Sequence, residues 1–231
     1  DAGSYVPITG QTNQTTCATG TYQVDTGQSD CDDASAGYYV DQTGQSTQSA
    51  CLAGTYQVDI GQDSCDDADP GSYVPITGQT SQTDCAVGTY QVDTGQDSCD
   101  DADAGSYVPS TGQASQTTCA LGTYQVDTRQ DSCDDADAGS YVPATGQTSQ
   151  TDCALGTYQS ATGQNSCDDA DAGSYVPATG QSSQTACAEG TYQVDTGQDS
   201  CDDADAGSYV PATGQSTQSA CLAGTYQVDT G

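Results

Sequence analysis

Thirteen cysteines and a recurring cluster of aspartates are the residues of this chain whose spacing could do chemistry. The cysteines alternate between a shorter and a longer interval, as Cys17, Cys31, Cys51, Cys65 and Cys85 show, and do so through to Cys201 and Cys221. Dense cysteine in so polar a chain points to disulfides and to an oxidising, extracellular setting. The spacing leaves each cysteine two partners. The shorter, 14-residue pairing gives Cys17–Cys31, Cys51–Cys65, Cys85–Cys99, Cys119–Cys133, Cys153–Cys167 and Cys187–Cys201, with Cys221 left to a partner beyond Gly231. The longer, 20-residue pairing would instead join Cys167 to Cys187. Each unit has two cysteine slots in a C-x-x-C arrangement, and only one is filled: Gln150 takes the first in Gln150-Thr151-Asp152-Cys153, and Ala170 the second in Cys167-Asp168-Asp169-Ala170. Bonding within a C-x-x-C is thereby excluded, and both longer pairings stay open. The 14-residue one is preferred because it would clamp both ends of one hairpin, a closure worth about 3 kcal/mol.

The aspartate cluster is the second candidate. It places Asp66, Asp67 and Asp69 together, then Asp100, Asp101 and Asp103, then Asp134, Asp135 and Asp137, with a copy around Asp168 and another at Asp202, Asp203 and Asp205. Ca²⁺ takes about six to eight oxygens, and Asp-x-Asp-x-Gly is one way that acidic loops begin to supply them. The full EF-hand spacing and its closing Glu are missing, and the first copy, Asp32-Asp33-Ala34-Ser35, lacks one carboxylate. These residues are therefore either a Ca²⁺ site or a solvated acidic junction, and no other cofactor is called for.

Hydroxyl chemistry comes third. A Ser-, Thr- and Pro-rich secreted chain is a natural acceptor of O-linked sugar, and Thr9, Thr26, Thr145, Thr148, Ser149 and Thr151 are candidates around the turns and return strands. Asn13-Gln14-Thr15 is an N-glycan acceptor sequence. Catalysis has no footing: there is no His and no Lys, the sole Arg is Arg129, and near-identical units offer no unique cleft.

The elements that must position these residues follow from the period. Tyr5, Tyr22, Tyr39 and their successors to Tyr226 keep a strict 17-residue beat, with only Tyr38 off it. One set of glycines runs Gly3, Gly20, Gly37 to Gly224, and a second runs Gly10, Gly27, Gly44 to Gly231, interrupted only by Arg129. Two kinds of unit alternate, giving a 34-residue super-repeat with divisions at 1–34, 35–68, 69–102, 103–136, 137–170, 171–204 and a partial 205–231. Such a period marks an array whose units depend on their neighbours.

In each unit Gly-Ser/Thr-Tyr should open an extended stretch of three to five residues or so, since Tyr, Val and Thr suit a pleated strand. A turn at the second glycine and a polar return strand complete a β-hairpin. Arg129 at a left-handed turn position would cost about 1 kcal/mol. The unit without a bridge carries proline instead, at Pro7, Pro75, Pro109, Pro143, Pro177 and Pro211, which stiffens an extended segment. The fold class expected is all-β and irregular: a tandem array of small disulfide-stapled hairpins with no helix. The tyrosines, the only large side chains in quantity, are expected to form its sparse core.

Composition narrows the rest. Net charge is −32 and apolar residues make up 33%, below the usual 45–50% or so of a packed globule. With one Arg and no Lys, phosphate binding has no cationic partner, which excludes nucleic acid and an anionic membrane surface. No run approaches the roughly 20 apolar residues of a membrane span. The chain starts and stops inside a repeat, and reads as a window of a longer array.

The frame Gly-x-Tyr-x4-Gly-x3-Cys-x2-Cys, met by Cys85, Gly88, Tyr90, Gly95 and Cys99, resembles the cysteine-rich repeats of ephrin-receptor-like and tumour-necrosis-factor-receptor-like ectodomains. In that family the cysteine before Gly-x-Tyr pairs with the one after the second glycine, which implies the 14-residue pairing here. The loss of every second bridge departs from the pattern, chiefly in the proline-containing units. The resemblance implies an elongated, disulfide-stapled rod and names no ligand.

Function is then expected to be structural: an extracellular rod, stalk or fibril, self-associating or continued by further copies of the same repeat, and coated with glycan. A receptor or adhesin ectodomain for a protein or carbohydrate ligand is the alternative. Ice binding along the Thr9, Thr26, Thr43 ladder is a lesser one.

Overall fold

A computed structural model describes residues 1–231. There is no helix. The chain forms 26 strands of two residues each, paired antiparallel in chain order into two-stranded ladders. β1 (Ser4–Tyr5) pairs with β2 (Thr15–Thr16), and β3 (Thr21–Tyr22) with β4 (Asp32–Asp33). β5 (Tyr38–Tyr39) pairs with β6 (Ser49–Ala50), β7 (Thr55–Tyr56) with β8 (Asp66–Asp67), β9 (Ser72–Tyr73) with β10 (Thr83–Asp84), and β11 (Thr89–Tyr90) with β12 (Asp100–Asp101). The same pattern continues to β25 (Ser208–Tyr209) and β26 (Ser219–Ala220).

These strands are shorter than their β-formers suggest, and the reason is where the loop amides go. Beyond the tyrosine, the backbone stops pairing with its own hairpin and bonds its neighbours instead. Within the hairpin, Cys51 N–H donates to Gly37 O at 2.9 Å. Gly37 N–H then donates to Gln57 O at 2.8 Å, and Val40 N–H to Gln62 O at 3.0 Å, both in the next hairpin. Gly78 N–H, from the hairpin after that, donates to Cys51 O at 2.8 Å. Buried backbone groups have to be paired, and here neighbouring hairpins pair them.

The chain divides into two compact units. The first holds Asp1–Asp103, Val108–Thr117 and Arg129–Asp131, and shows the bonds just described. The second holds Ala104–Tyr107, Thr118–Thr128 and Ser132–Gly231, and repeats them: Gly139 N–H to Gln159 O at 2.7 Å, Val142 N–H to Gln164 O at 2.9 Å, Gly180 N–H to Cys153 O at 2.9 Å.

Within each unit the core lies in two columns of small side chains, and this corrects the expectation placed on tyrosine. At the residue after each return strand, Cys17, Cys51, Cys85, Cys119, Cys153 and Cys187 alternate with Ala34, Ala68, Ala102, Ala136, Ala170 and Ala204 as fully or almost fully buried residues. After each tyrosine, Val40, Val74, Val108, Val142 and Val176 alternate with Gln57, Gln91, Gln125 and Gln159, again buried. The tyrosines are mostly half-buried. The layers are too close for a ring: a Cβ built on Gly37 would stand 2.4 Å from Gly78 O.

Two local substitutions are explained by the same geometry. Proline follows the buried valine at the position where bridged hairpins carry Val24, Val58 or Val92, and no backbone bond is donated by the N–H of those valines. Proline there gives up nothing. Arg129 holds the left-handed turn conformation of the glycines it replaces, at φ 63°.

Candidate functional site: the joints between hairpins

The six disulfides join cysteines at a sequence separation of 14, with Cα–Cα distances of 5.8 Å. Their role differs from a clamp on one hairpin. Cys51 leaves β6 and Cys65 enters β8, so the bridge crosses from one hairpin to the next. Cys85 leaves β10 and Cys99 enters β12 in the same way. Cys221 is unbridged and half-buried.

The steps between bridges have a joint of their own in the equivalent place. Asp69 N–H donates to Gln82 Oε1 at 2.7 Å, and Gln82 Nε2 donates to Asp69 Oδ2 at 2.8 Å. Asp103 with Gln116, Asp137 with Gln150, Asp171 with Gln184 and Asp205 with Gln218 repeat this two-point clasp. Ser35 takes the aspartate's part opposite Gln48. At the first copy Gln14 is held by the Asp1 amine and carboxylate. Covalent and hydrogen-bonded joints therefore alternate along the chain. The signal was available: the cysteine slot left empty in a proline-containing unit always holds Gln, from Gln14 to Gln218.

A second group of glutamines works inside the bridged hairpins. Gln91 Nε2 donates to Ser98 O at 3.0 Å, and Gln91 Oε1 accepts from Asp93 N–H at 3.0 Å, with the side chain 5% exposed. A polar group this buried needs its partners, and here it ties the two sides of its own loop. Gln57, Gln125, Gln159 and Gln193 do the same.

The aspartate clusters are spread rather than gathered. Asp66 lies opposite Tyr56, and Asp67 opposite Thr55, on adjacent positions of β8. Successive strand residues face opposite sides, so the two carboxylates diverge. Asp67 lies against the turn at Gly95, where an added Cβ would be 3.2 Å from its Oδ1. Asp69 is taken by its glutamine. Asp100, Asp101 and Asp103 follow the same layout, as do Asp134, Asp135 and Asp137, and Asp202, Asp203 and Asp205. No three Asp, Glu or Cys side chains come together in a group that could hold a metal ion. Where Arg129 replaces the turn glycine, its guanidinium is 3.7 Å from Asp101 Oδ1, an exposed ion pair.

Tyr90 shows what surrounds the half-buried rings. Burial raises its pKa above the ordinary 10.0, and the carboxylates of Asp103 and Asp100 raise it further. Tyr39, Leu52, Thr55, Asp63 and Cys65 line a shallow groove of 390 Å³ beside one bridge, and Tyr73, Ala86, Thr89, Ser98 and Cys99 line one of 250 Å³ beside the next. The first groove also takes in Asp41 and Ser64, and the second the Asp101–Arg129 pair.

The sugar candidates Thr9, Asn13, Thr26, Thr145, Thr148, Ser149 and Thr151 are all exposed. The threonines that open the bridged hairpins differ. Thr55 and Thr89 donate their hydroxyls to Leu52 O and Ala86 O at 2.9 and 2.8 Å. No helix is long and apolar enough to cross a membrane. Compared with known protein families and curated proteins, the chain matches no family model and no curated sequence.

Proposed function

We propose that this chain is an extracellular structural protein, a stretch of rod, stalk or fibril whose job is to repeat. The observation that supports this most is the uniform backbone bonding. Each hairpin is tied to the next and to the one after by the same donors and acceptors, and the longest of these bonds reaches back only two hairpins, as from Gly44 to Cys17. An interaction pattern confined to near neighbours can be extended without limit, as in other arrays with nearest-neighbour energetics. Six disulfides fit an oxidising compartment. A charge of −32 keeps the surface hydrated and discourages unplanned association. The resemblance to cysteine-rich ectodomain repeats agrees with an extracellular spacer.

Electron microscopy of the native material tests this reading. Long filaments of constant width support it. Discrete short particles, or a chain found one to one with a soluble protein ligand, would replace it with an adhesin or receptor reading.

A further inference from the structure

We propose that the chain carries a column of sugar with one attachment per super-repeat, at Asn13, Thr47, Ser81, Ser115, Ser149, Ser183 and Thr217. These are equivalent positions, each immediately before the glutamine of a clasp or its counterpart. The clasp fixes the backbone beside the slot, and the slot itself is exposed in every copy.

Three observations separate this column from other hydroxyls. First, none of these seven side chains takes part in a hydrogen bond, so attachment breaks nothing. Second, the equivalent slot in bridged hairpins is occupied differently. Ser64, Ser98 and Ser200 donate to Asp63, Asp97 and Asp199 at 3.4, 3.2 and 3.3 Å, and Asp30 fills the first copy. Those three hydroxyls are engaged beside a negative charge, and Ser166, which follows Asn165, is the exception. Third, the one copy that is neither Ser nor Thr is Asn13, and it is the asparagine of an N-glycan acceptor sequence. One position on the fold thus keeps a sugar-accepting side chain while the linkage chemistry changes.

The transfer is ordinary glycosylation. For Ser and Thr, Oγ attacks the anomeric carbon of a nucleotide- or lipid-diphosphate sugar. The bond from that carbon to phosphate oxygen breaks, the diphosphate leaves, and the hydroxyl proton passes to a base of the transferase. At Asn13 the amide nitrogen attacks a lipid-diphosphate oligosaccharide, with the same leaving group and loss of one N–H proton.

The proposal rests on the extracellular reading above, but it fails separately. Site-resolved glycopeptide mass spectrometry on native protein should find sugar on peptides carrying Ser81, Ser115 and Ser149, and none at Ser64 or Ser98. Sugar confined to turn threonines such as Thr77 and Thr94, or no sugar anywhere, overturns it. Filaments lacking sugar would overturn this column and leave the structural role standing; a sugar column on discrete particles would do the reverse. In chains secreted through the route that modifies the native protein, Ser81→Ala should remove one glycan and Ser98→Ala none. Equal loss from both variants, or from neither, also overturns it.

Discussion

Gln82 and Asp69 grip each other through two hydrogen bonds at the joint where the next hairpin along is held by Cys85–Cys99. The chain thus uses a reversible joint and a covalent one in strict alternation, at equivalent places on the same backbone.

Breaking the reversible joint should be mild. Gln82→Ala removes both bonds at a half-exposed site, and is expected to lower stability by about 1–2 kcal/mol in denaturant titration. Converting it to the covalent kind should work. Ala68 and Cys85 are both fully buried, and their N–H groups donate to Gly54 O and Gly71 O, each at 2.8 Å. The pair Ala68→Cys and Gln82→Cys is expected to close a further disulfide, visible in unreduced peptide mapping as the loss of two hydrogens. Free thiols at both positions would show that the two joints are not equivalent.

Gly88 and Gly95 should respond differently to the same change. A Cβ at Gly88 would meet Arg129 O at 2.3 Å, backbone against backbone, whereas one at Gly95 meets only the movable Asp67 carboxylate at 3.2 Å. Gly88→Ala is expected to cost about 2–5 kcal/mol, and Gly95→Ala about 1 kcal/mol. Arg129→Gly should raise stability by about 1 kcal/mol, with little offset from its exposed ion pair. Equal losses at Gly88 and Gly95 in thermal unfolding would contradict the close approach of the layers.

Gln91→Val would put into this column the residue that its neighbours, Val74 and Val108, already carry there. It is nevertheless expected to destabilise by about 1–3 kcal/mol, because Asp93 N–H and Ser98 O lose their partner. A neutral result would mean that the loop needs no internal tie.

Tyr90 ionises above the ordinary value of 10.0, because burial and then Asp103 and Asp100 oppose the phenolate. The unfolded chain loses this proton first, so stability falls as pH rises above 10.0 and toward the folded-state pKa. Ultraviolet titration of tyrosinate should show the midpoint of Tyr90 moving down in Asp103→Asn. An unchanged midpoint would remove the carboxylate's part in it.

Much of this was legible in the sequence. The 17-residue beat, the alternation of units, the absence of helix and the hairpin itself all follow from Tyr, Gly and Cys spacing. The core was not. Tyr90 is the largest side chain in its unit, yet the space between layers is set by Gly88, and the buried positions go to Cys85, Ala102, Val108 and the hydrogen-bonded Gln91. That Ala102 occupies the column of Cys85 could have been read from the frame, since the two stand one unit apart. Gln91 in a valine column reads as surface until the partners of its amide are known. The clasp was half legible: the emptied cysteine slot marks Gln82, but Asp69 is an ordinary solvated residue on paper, and only the fold brings the two face to face.

The dependence of each hairpin on the next two is tested most directly by amide hydrogen exchange at the turn glycines. Gly78 and Gly95 lie in loops, but their N–H groups donate to Cys51 O and Ala68 O, each at 2.8 Å and two hairpins back. In oxidised protein both amides should be protected to the degree of strand amides such as Cys85 N–H, which closes its own hairpin on Gly71 O. Exchange of Gly78 and Gly95 at the rate of an unstructured peptide, with Cys85 still protected, would mean that the hairpins fold singly and that the array is only a string of them.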